Sequence, residues 1–142
     1  MKTNEIKNKC VLVLDSELPI GLIANTAAIL GITLGYKHNS IIGEDVIDAS
    51  NQCHLGITNI PIPILNGTKE KVKELLEEIR NNYSDDLTMV DFSETAQSCT
   101  NYQDYITKVN GCTADAFKYL GIGIYGPVNI VNKLTGSMPL LC

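Results

Sequence analysis

The stretch Asp91-Phe-Ser-Glu-Thr95 sets a carboxylate and a hydroxyl four residues apart, directly after the apolar run Leu87-Thr-Met-Val90. Such a run reads as a buried strand. A carboxylate at the carboxyl end of a strand sits where open α/β sheets usually hold their ligands. Partly buried there, Asp91 needs donors, for which the Thr95 hydroxyl or backbone N–H groups are candidates. An ionised carboxylate so placed can act as a general base or orient a water. A plainer use is also open: Ser93 or Asp91 can simply close the next helix as its N-cap.

A second place of interest is the corner Asp15-Ser-Glu-Leu-Pro-Ile-Gly21, where an apolar strand turns into an apolar helix. Helix starts of this kind hold anions through free N–H groups and the positive end of the helix dipole. This corner offers no lysine or arginine, only Asp15 and Glu17, so it suits a carbonyl, a carboxylate or a neutral polar group better than a polyanion. Gly21 stands at this helix start, in the same crevice. Asn25, a polar amide on a helix otherwise nearly all apolar, wants a partner in a neighbouring loop or a ligand in the crevice. Gly21, Asn25, Asp91 and Thr95 are therefore the candidate site.

Other chemistries find little support. Gly121-Ile-Gly-Ile-Tyr-Gly126 matches G-x-G-x-x-G, but two of its glycines fall inside a strand rather than in the turn after one, and no acidic residue follows at the required distance. Those glycines are expected to admit close packing by a helix or another chain. His38 and His54 form no triad, and both are expected in surface or hairpin positions. Cys53 and His54, being adjacent on a strand, point to opposite faces. Ser16, Ser93 and Ser98 lack a nucleophile elbow. The five cysteines have neither C-x-x-C nor zinc-site spacing, so no metal or cofactor is expected.

The elements that position these residues follow from pattern. Cys10-Val-Leu-Val-Leu14 predicts a central strand, and Ile20 to Leu34 a buried helix ended by Gly35. Val46-Ile47 and Cys53-His54-Leu55, around Asp48-Ala-Ser-Asn51, predict a β-hairpin. Pro61-Ile-Pro-Ile-Leu65 is an edge strand or a strand entered through a bend. Val72, Leu75, Leu76 and Ile79 form one helical stripe over residues 68–81, N-capped by Thr68, with a solvated Lys/Glu face. Residues 94–109 give a weaker helical pattern. Gly121 to Tyr125 is a strand, and a last helix starts at Gly126-Pro127 and ends at Gly136. This alternation predicts an α/β fold in three layers, a small sheet with helices on both faces, made mixed by the hairpin.

The chain of 142 residues fits one domain, with residues 1–8 as a flexible extension. Net charge is −5, and no cation occurs between Lys37 and Lys69 or between Arg80 and Lys108. A nucleic-acid partner is not expected without a basic stripe. No apolar run reaches the roughly 18 residues of a membrane span, and a polar N-terminus with odd cysteines points to reduced thiols in a cytoplasm.

Taken together, KCVLVLDSELPIGLIANTAAILG, IPIPIL, LTMVDFSETAQ and GIGIYGPVNIVNKLTGSMPLL resemble a bacterial family known only as a domain of unknown function. The resemblance runs from about Lys9 to Leu141. That family is similar in fold to the type II peptidyl-tRNA hydrolases, which cleave the ester between a peptide and tRNA. The resemblance to the hydrolases lies in the first strand and helix, the Asp91 region and the closing GP…NKLTG…LL. It implies a catalytic role for Asp91 and Thr95, and self-association into a homodimer. The hydrolase lysine at the start of the first helix has no counterpart, since Pro19-Ile-Gly-Leu-Ile-Ala24 is shorter and uncharged. Lys9, Lys37 and Lys133 are the candidates to replace it. The expected function is binding of a small polar ligand or a protein partner in a hydrolase-like crevice; the alternatives are an active peptidyl-tRNA hydrolase or esterase, or a non-catalytic dimer.

Overall fold

The computed structural model describes residues 7–142, and its centre is a four-stranded sheet in the order β4 (Ile64–Gly67), β1 (Asn8–Asp15), β6 (Tyr119–Pro127), β5 (Thr88–Ser93). Strand β1 (Asn8–Asp15) carries the apolar run that the sequence marked, and from Cys10 onward it is buried throughout. It pairs in parallel with β4 (Ile64–Gly67) and antiparallel with β6 (Tyr119–Pro127), to which β5 (Thr88–Ser93) adds antiparallel as an edge. Of the residues 1–8 expected as a flexible extension, Asn8 pairs with Pro127 in the sheet, and residues 1–6 lie outside the described residues.

Helices cover both faces, giving three layers. On one side α1 (Ile20–Lys37) buries Leu30 and Leu34 against Leu12, Leu14 and Phe92. On the other, α2 (Lys69–Asn82) and α5 (Val128–Thr135) pack Val72, Leu76, Ile79 and Val131 against Val11, Val13, Ile122 and Ile124. The α2 stripe is the one the spacing predicts, and Thr68 Oγ1 accepts from the Lys71 N–H at 3.0 Å as its N-cap. The G-x-G-x-x-G stretch is a packing device. A Cβ on Gly121 would stand 2.5 Å from Leu14 Cδ2, and one on Gly123 would stand 2.8 Å from Leu34 Cδ1. Bare backbone at these two positions lets the side chains of β1 and α1 close over β6.

Several boundaries differ from the sequence expectation. Helix α1 runs past Gly35 to Lys37, because no glycine adopts the left-handed conformation that would end it there. This 18-residue helix has a mean hydropathy of 1.3, enough by length and composition to cross a membrane; Asn25, Thr26 and Thr33 interrupt its apolar run without adding charge. The hairpin of β2 (Val46–Ile47) and β3 (Cys53–His54) forms a separate two-stranded sheet and does not join the main one. The main sheet is mixed because β1 pairs in opposite senses with its two neighbours. Pro61 and Pro63 lead into β4, and the Pro63 carbonyl accepts from the Leu12 N–H at 3.0 Å. The outer side of β4 is covered by the C-terminal tail, through Asn66 N–H to Pro139 O and Leu141 N–H to Ile64 O. The weak helical pattern of 94–109 is two helices, α3 (Glu94–Gln97) and α4 (Tyr102–Asn110). Asn101 breaks it by capping α4, its side chain accepting from the Asp104 N–H at 2.8 Å.

Candidate functional site

Edge strand β5 places Asp91 with Met89 on the α2 face of the sheet, while Val90 and Phe92 pack on the α1 face. The Asp91 side chain is 29% exposed, and no hydrogen bond reaches its carboxyl group among the described residues. Its one charged neighbour is Arg80 near the end of α2, with Nη2 3.7 Å from Asp91 Oδ2. Burial pushes the Asp91 carboxyl above the ordinary carboxylate range, and the Arg80 guanidinium only partly opposes that. A carboxyl so placed takes up a proton more readily than a surface aspartate.

Asp91 lines a cleft of about 420 Å³ along the free edge of the sheet. Ile29 and Thr33 of α1 form one side. Tyr102 and Tyr105 of α4 form the other, their rings meeting edge-on at 5.4 Å. The linker between α3 and α4 closes the end with Cys99, Thr100 and Asn101. Burial pushes the Tyr105 hydroxyl up, and the Asp91 charge pushes it further the same way. The Cys99 thiol is also held up, chiefly by desolvation, and it donates to the Thr95 carbonyl at 3.0 Å. Desolvation thus works against the thiolate form in which a cysteine is nucleophilic.

The four candidate residues do not meet in this cleft. Thr95 is half-buried on α3 and lies outside the lining, and its hydroxyl makes no bond to Asp91. Of the two proposed N-caps, Ser93 takes the role, its Oγ accepting from the Ala96 N–H at 3.3 Å, which leaves Asp91 uncommitted. Gly21 and Asn25 are exposed on the outward face of α1, and the helix enters the cleft only one and two turns later, at Ile29 and Thr33. At the corner before α1, Asp15 is buried and turns on itself, its Oδ1 accepting from the Glu17 N–H at 3.0 Å.

Arg80, Tyr102 and Tyr105 are the site residues that sequence reasoning missed. Arg80 belongs to a charge run that reads as a solvated helix face, and only the packing of α2 across β6, next to β5, brings it to Asp91. The lysines nominated as replacements lie elsewhere. Lys9 donates to Asn132 Oδ1 at 2.7 Å, Lys37 ends α1, and Lys133 is exposed on α5. His54 is exposed on the hairpin as expected, with Nε2 2.8 Å from Asp48 Oδ2. His38 is instead half-buried at the end of α1, stacked on Tyr125 at 3.9 Å and hydrogen-bonded through Nε2 to Thr88 Oγ1 at 2.8 Å. Among the described residues no cluster of three or more His, Cys, Asp or Glu side chains could hold a metal ion.

The family model described as a protein of unknown function, DUF2000, matches residues 8–142. The chain belongs to the DUF2000 family. A solved structure of the protein of unknown function Atu0240 from Agrobacterium tumefaciens strain C58 superposes with a TM-score of 0.87 at 18% identity, covering 97% of this chain and 100% of that one. At that identity the likeness shows a shared fold and nothing about activity. No curated protein matches the chain. The chemistry of the cleft in this chain must be argued from Asp91 and its neighbours.

Proposed function

We propose that this DUF2000 domain binds a small polar ligand with an apolar body in the cleft beside β5, and that Asp91 is the group that reads it. The observation that carries this reading is a half-buried carboxyl without a hydrogen bond from the described residues, on the edge strand that lines a cleft walled by two tyrosines and by Ile29. Such a carboxyl is costly unless something donates to it. A ligand amine, amide or hydroxyl meets that need, while the aromatic wall takes its apolar part. The acidic chain and the absence of a basic stripe favour a small molecule over nucleic acid, and five free cysteines suit a reducing cytoplasm.

The test is a thermal-shift screen of small amines, amides and alcohols against the wild type and Asp91→Asn. A compound that raises the melting temperature of the wild type and not of the variant supports the reading. Equal shifts in both would place the ligand elsewhere.

A second reading keeps the resemblance to type II peptidyl-tRNA hydrolases. It is favoured by the raised Asp91 carboxyl, suited to a general base, beside a cation from α2 instead of a lysine from α1. Arg80 would then take the part of the missing lysine, and Thr95 would support the site from α3. Cleavage of peptidyl-tRNA by the purified protein, lost in both Asp91→Asn and Thr95→Ala, would replace the binding reading with this one.

A further inference from the structure

The two edges of the main sheet are treated differently. On β4 the C-terminal tail pairs as a strand would. Asn66 N–H donates to Pro139 O at 2.8 Å and Leu141 N–H to Ile64 O at 2.9 Å, with Leu65 and Leu140 as antiparallel partners. On β5 nothing does. It ends the strand order, and among the described residues no backbone group of residues 88–93 bonds to another backbone group outside the β6 ladder. Bare edges are commonly blunted by proline, lysine or a covering segment. Thr88–Ser93 has no proline and no lysine, and its one charged residue is Asp91.

Which groups are bare follows from the register. Val128 N–H donates to Lys7 O at 3.1 Å, so the even-numbered residues of β6 turn their polar groups to β1. The odd-numbered residues turn to β5, where Tyr125, Gly123 and Gly121 stand opposite Thr88, Val90 and Phe92. Met89 and Asp91 therefore turn N–H and C=O to the open side. The cleft lies at that place. Val90, Asp91 and Phe92 all line it, and successive strand residues point to opposite faces. A cleft lined by all three follows the edge rather than either face.

We propose that β5 is the docking edge for an extended, uncharged peptide segment of a partner protein, which adds antiparallel as a fifth strand; the inference rests on the cleft being a ligand site and names the class of ligand. Three strand residues span about 10 Å, the length of Val90 to Phe92. The middle residue of the segment exchanges two main-chain bonds with Asp91. Its side chain shares a face with the Asp91 carboxyl, so an amide or hydroxyl there supplies a donor to it. The residues on either side share the other face with Val90 and Phe92 and meet Ile29. Apolar and polar residues are thus selected in alternation, with the main-chain bonds giving affinity and the side chains specificity.

Charge and shape narrow the occupant. Arg80 stands 3.7 Å from Asp91, and on α4 Lys108 stands 3.3 Å from Asp104. With these charges paired, neither a chain terminus nor a charged residue is called for. The edge is set between Ile29 and Thr33 of α1 and Tyr102 and Tyr105 of α4. A second copy of β5, flanked by its own helices, cannot come within the roughly 4.8 Å of strand pairing, whereas a single extended segment can.

The test uses heptapeptides, acetylated and amidated at their ends, that alternate valine or leucine with asparagine, glutamine, serine or threonine. They are arrayed and probed with the labelled full chain. The tightest binder is then titrated into ¹⁵N-labelled protein, and amide hydrogen exchange is read residue by residue. Expected is a slowing of about tenfold or more at Met89 and Asp91 on saturation. Versions of the peptide N-methylated at single positions should fall into two alternating sets. One set loses about tenfold in affinity, the value of one hydrogen bond, and the other binds as before. No binding at millimolar peptide overturns the proposal. So does binding that leaves exchange at Met89 and Asp91 unchanged, or that N-methylation weakens equally at every position. Asp91→Asn separates this inference from the reading of the cleft on which it rests. A peptide that pairs as well with the variant keeps the docking edge and removes the Asp91 carboxyl as the reading group. A small amide whose melting-temperature shift depends on Asp91, with no peptide bound, keeps the cleft and ends the docking edge.

Discussion

Arg80 Nη2 stands 3.7 Å from Asp91 Oδ2, and the two side chains reach each other from different layers, one from α2 and one from the edge of the sheet. Burial still outweighs the guanidinium, so the Asp91 carboxyl lies above its ordinary value of 3.8 in the folded protein. The folded state then binds the Asp91 proton more tightly than the unfolded state does. Stability attributable to this group falls as pH rises from below 3.8 through the raised folded value, and the cost is constant above it. Asp91→Asn removes the cost. Its melting temperature is expected to exceed that of the wild type at neutral pH, with the gain shrinking as pH falls toward the unfolded carboxylate range. A variant less stable at neutral pH would mean that the Arg80 contact dominates burial.

Removing the partner should act in the opposite direction. Arg80→Gln takes away the only nearby charge that lowers the Asp91 carboxyl, so its titration midpoint should move further up. The ¹³C chemical shift of the Asp91 carboxyl, followed against pH in both proteins, reads this directly. An unmoved midpoint would show that solvent screens the pair, as it does for most half-exposed ion pairs.

The glycines of β6 make a graded prediction. Gly123→Ala sets a methyl against Leu34 Cδ1, Leu12 Cδ2 and Val90 Cγ1, all ends of side chains that can shift. Gly121→Ala sets one 2.5 Å from Leu14 Cδ2 and 3.1 Å from the backbone oxygen of Val13, and the oxygen cannot move without the strand. Urea unfolding should show a loss of about 1–3 kcal/mol for Gly123→Ala, in the range for overpacked cores, and a larger loss for Gly121→Ala. The reverse order would mean that β1 yields more easily than α1.

These glycines also mark what a sequence can carry. Their position inside a strand showed that they admit close packing, since a turn motif would have placed them after it. The α2 stripe and the β1 run were legible for the same reason: local period fixes which face is buried. What no local pattern contains is which elements become neighbours. Arg80 reads as one more charge on a solvated face until α2 packs on β6, the neighbour of β5. Asn25 reads as a buried amide in need of a partner until α1 turns that face outward and buries Thr26 instead. The hairpin was legible as a hairpin, but its separation from the main sheet follows from the arrangement of β4, β1 and β6, which its own residues do not encode.

Thr26 is the buried polar residue that α1 does hide. It is fully buried, and its Oγ1 is the one buried side-chain oxygen or nitrogen without a hydrogen-bond partner among the described residues. Its Cγ2 lies 3.1 Å from the Cβ position of Gly121, so the side chain fills the gap that the glycine leaves. Thr26→Val keeps that shape and removes the unpaired hydroxyl. An increase of about 1 kcal/mol in unfolding free energy is expected, the lower end of the cost of such a group. A loss of stability would mean that the hydroxyl has a partner, such as a buried water.

The cysteines provide a check on the sheet itself. Cys10 lies at the start of the buried run of β1, 1% exposed, and burial pushes its thiol up to about 11. Cys53, Cys112 and Cys142 are exposed. Thiolate is the reactive form, so both access and ionisation protect Cys10. Maleimide at neutral pH, followed by peptide mass spectrometry, should modify the three exposed cysteines of the native protein and spare Cys10, with all five modified in guanidinium. The rate at Cys10 in the native protein then reports the opening of β1, which is paired on both sides and should open only with global unfolding. Labelling of Cys10 at the rate of Cys53 would show that the β1 end near Pro127 frays, and would weaken the placement of every residue whose position depends on β6, Asp91 included.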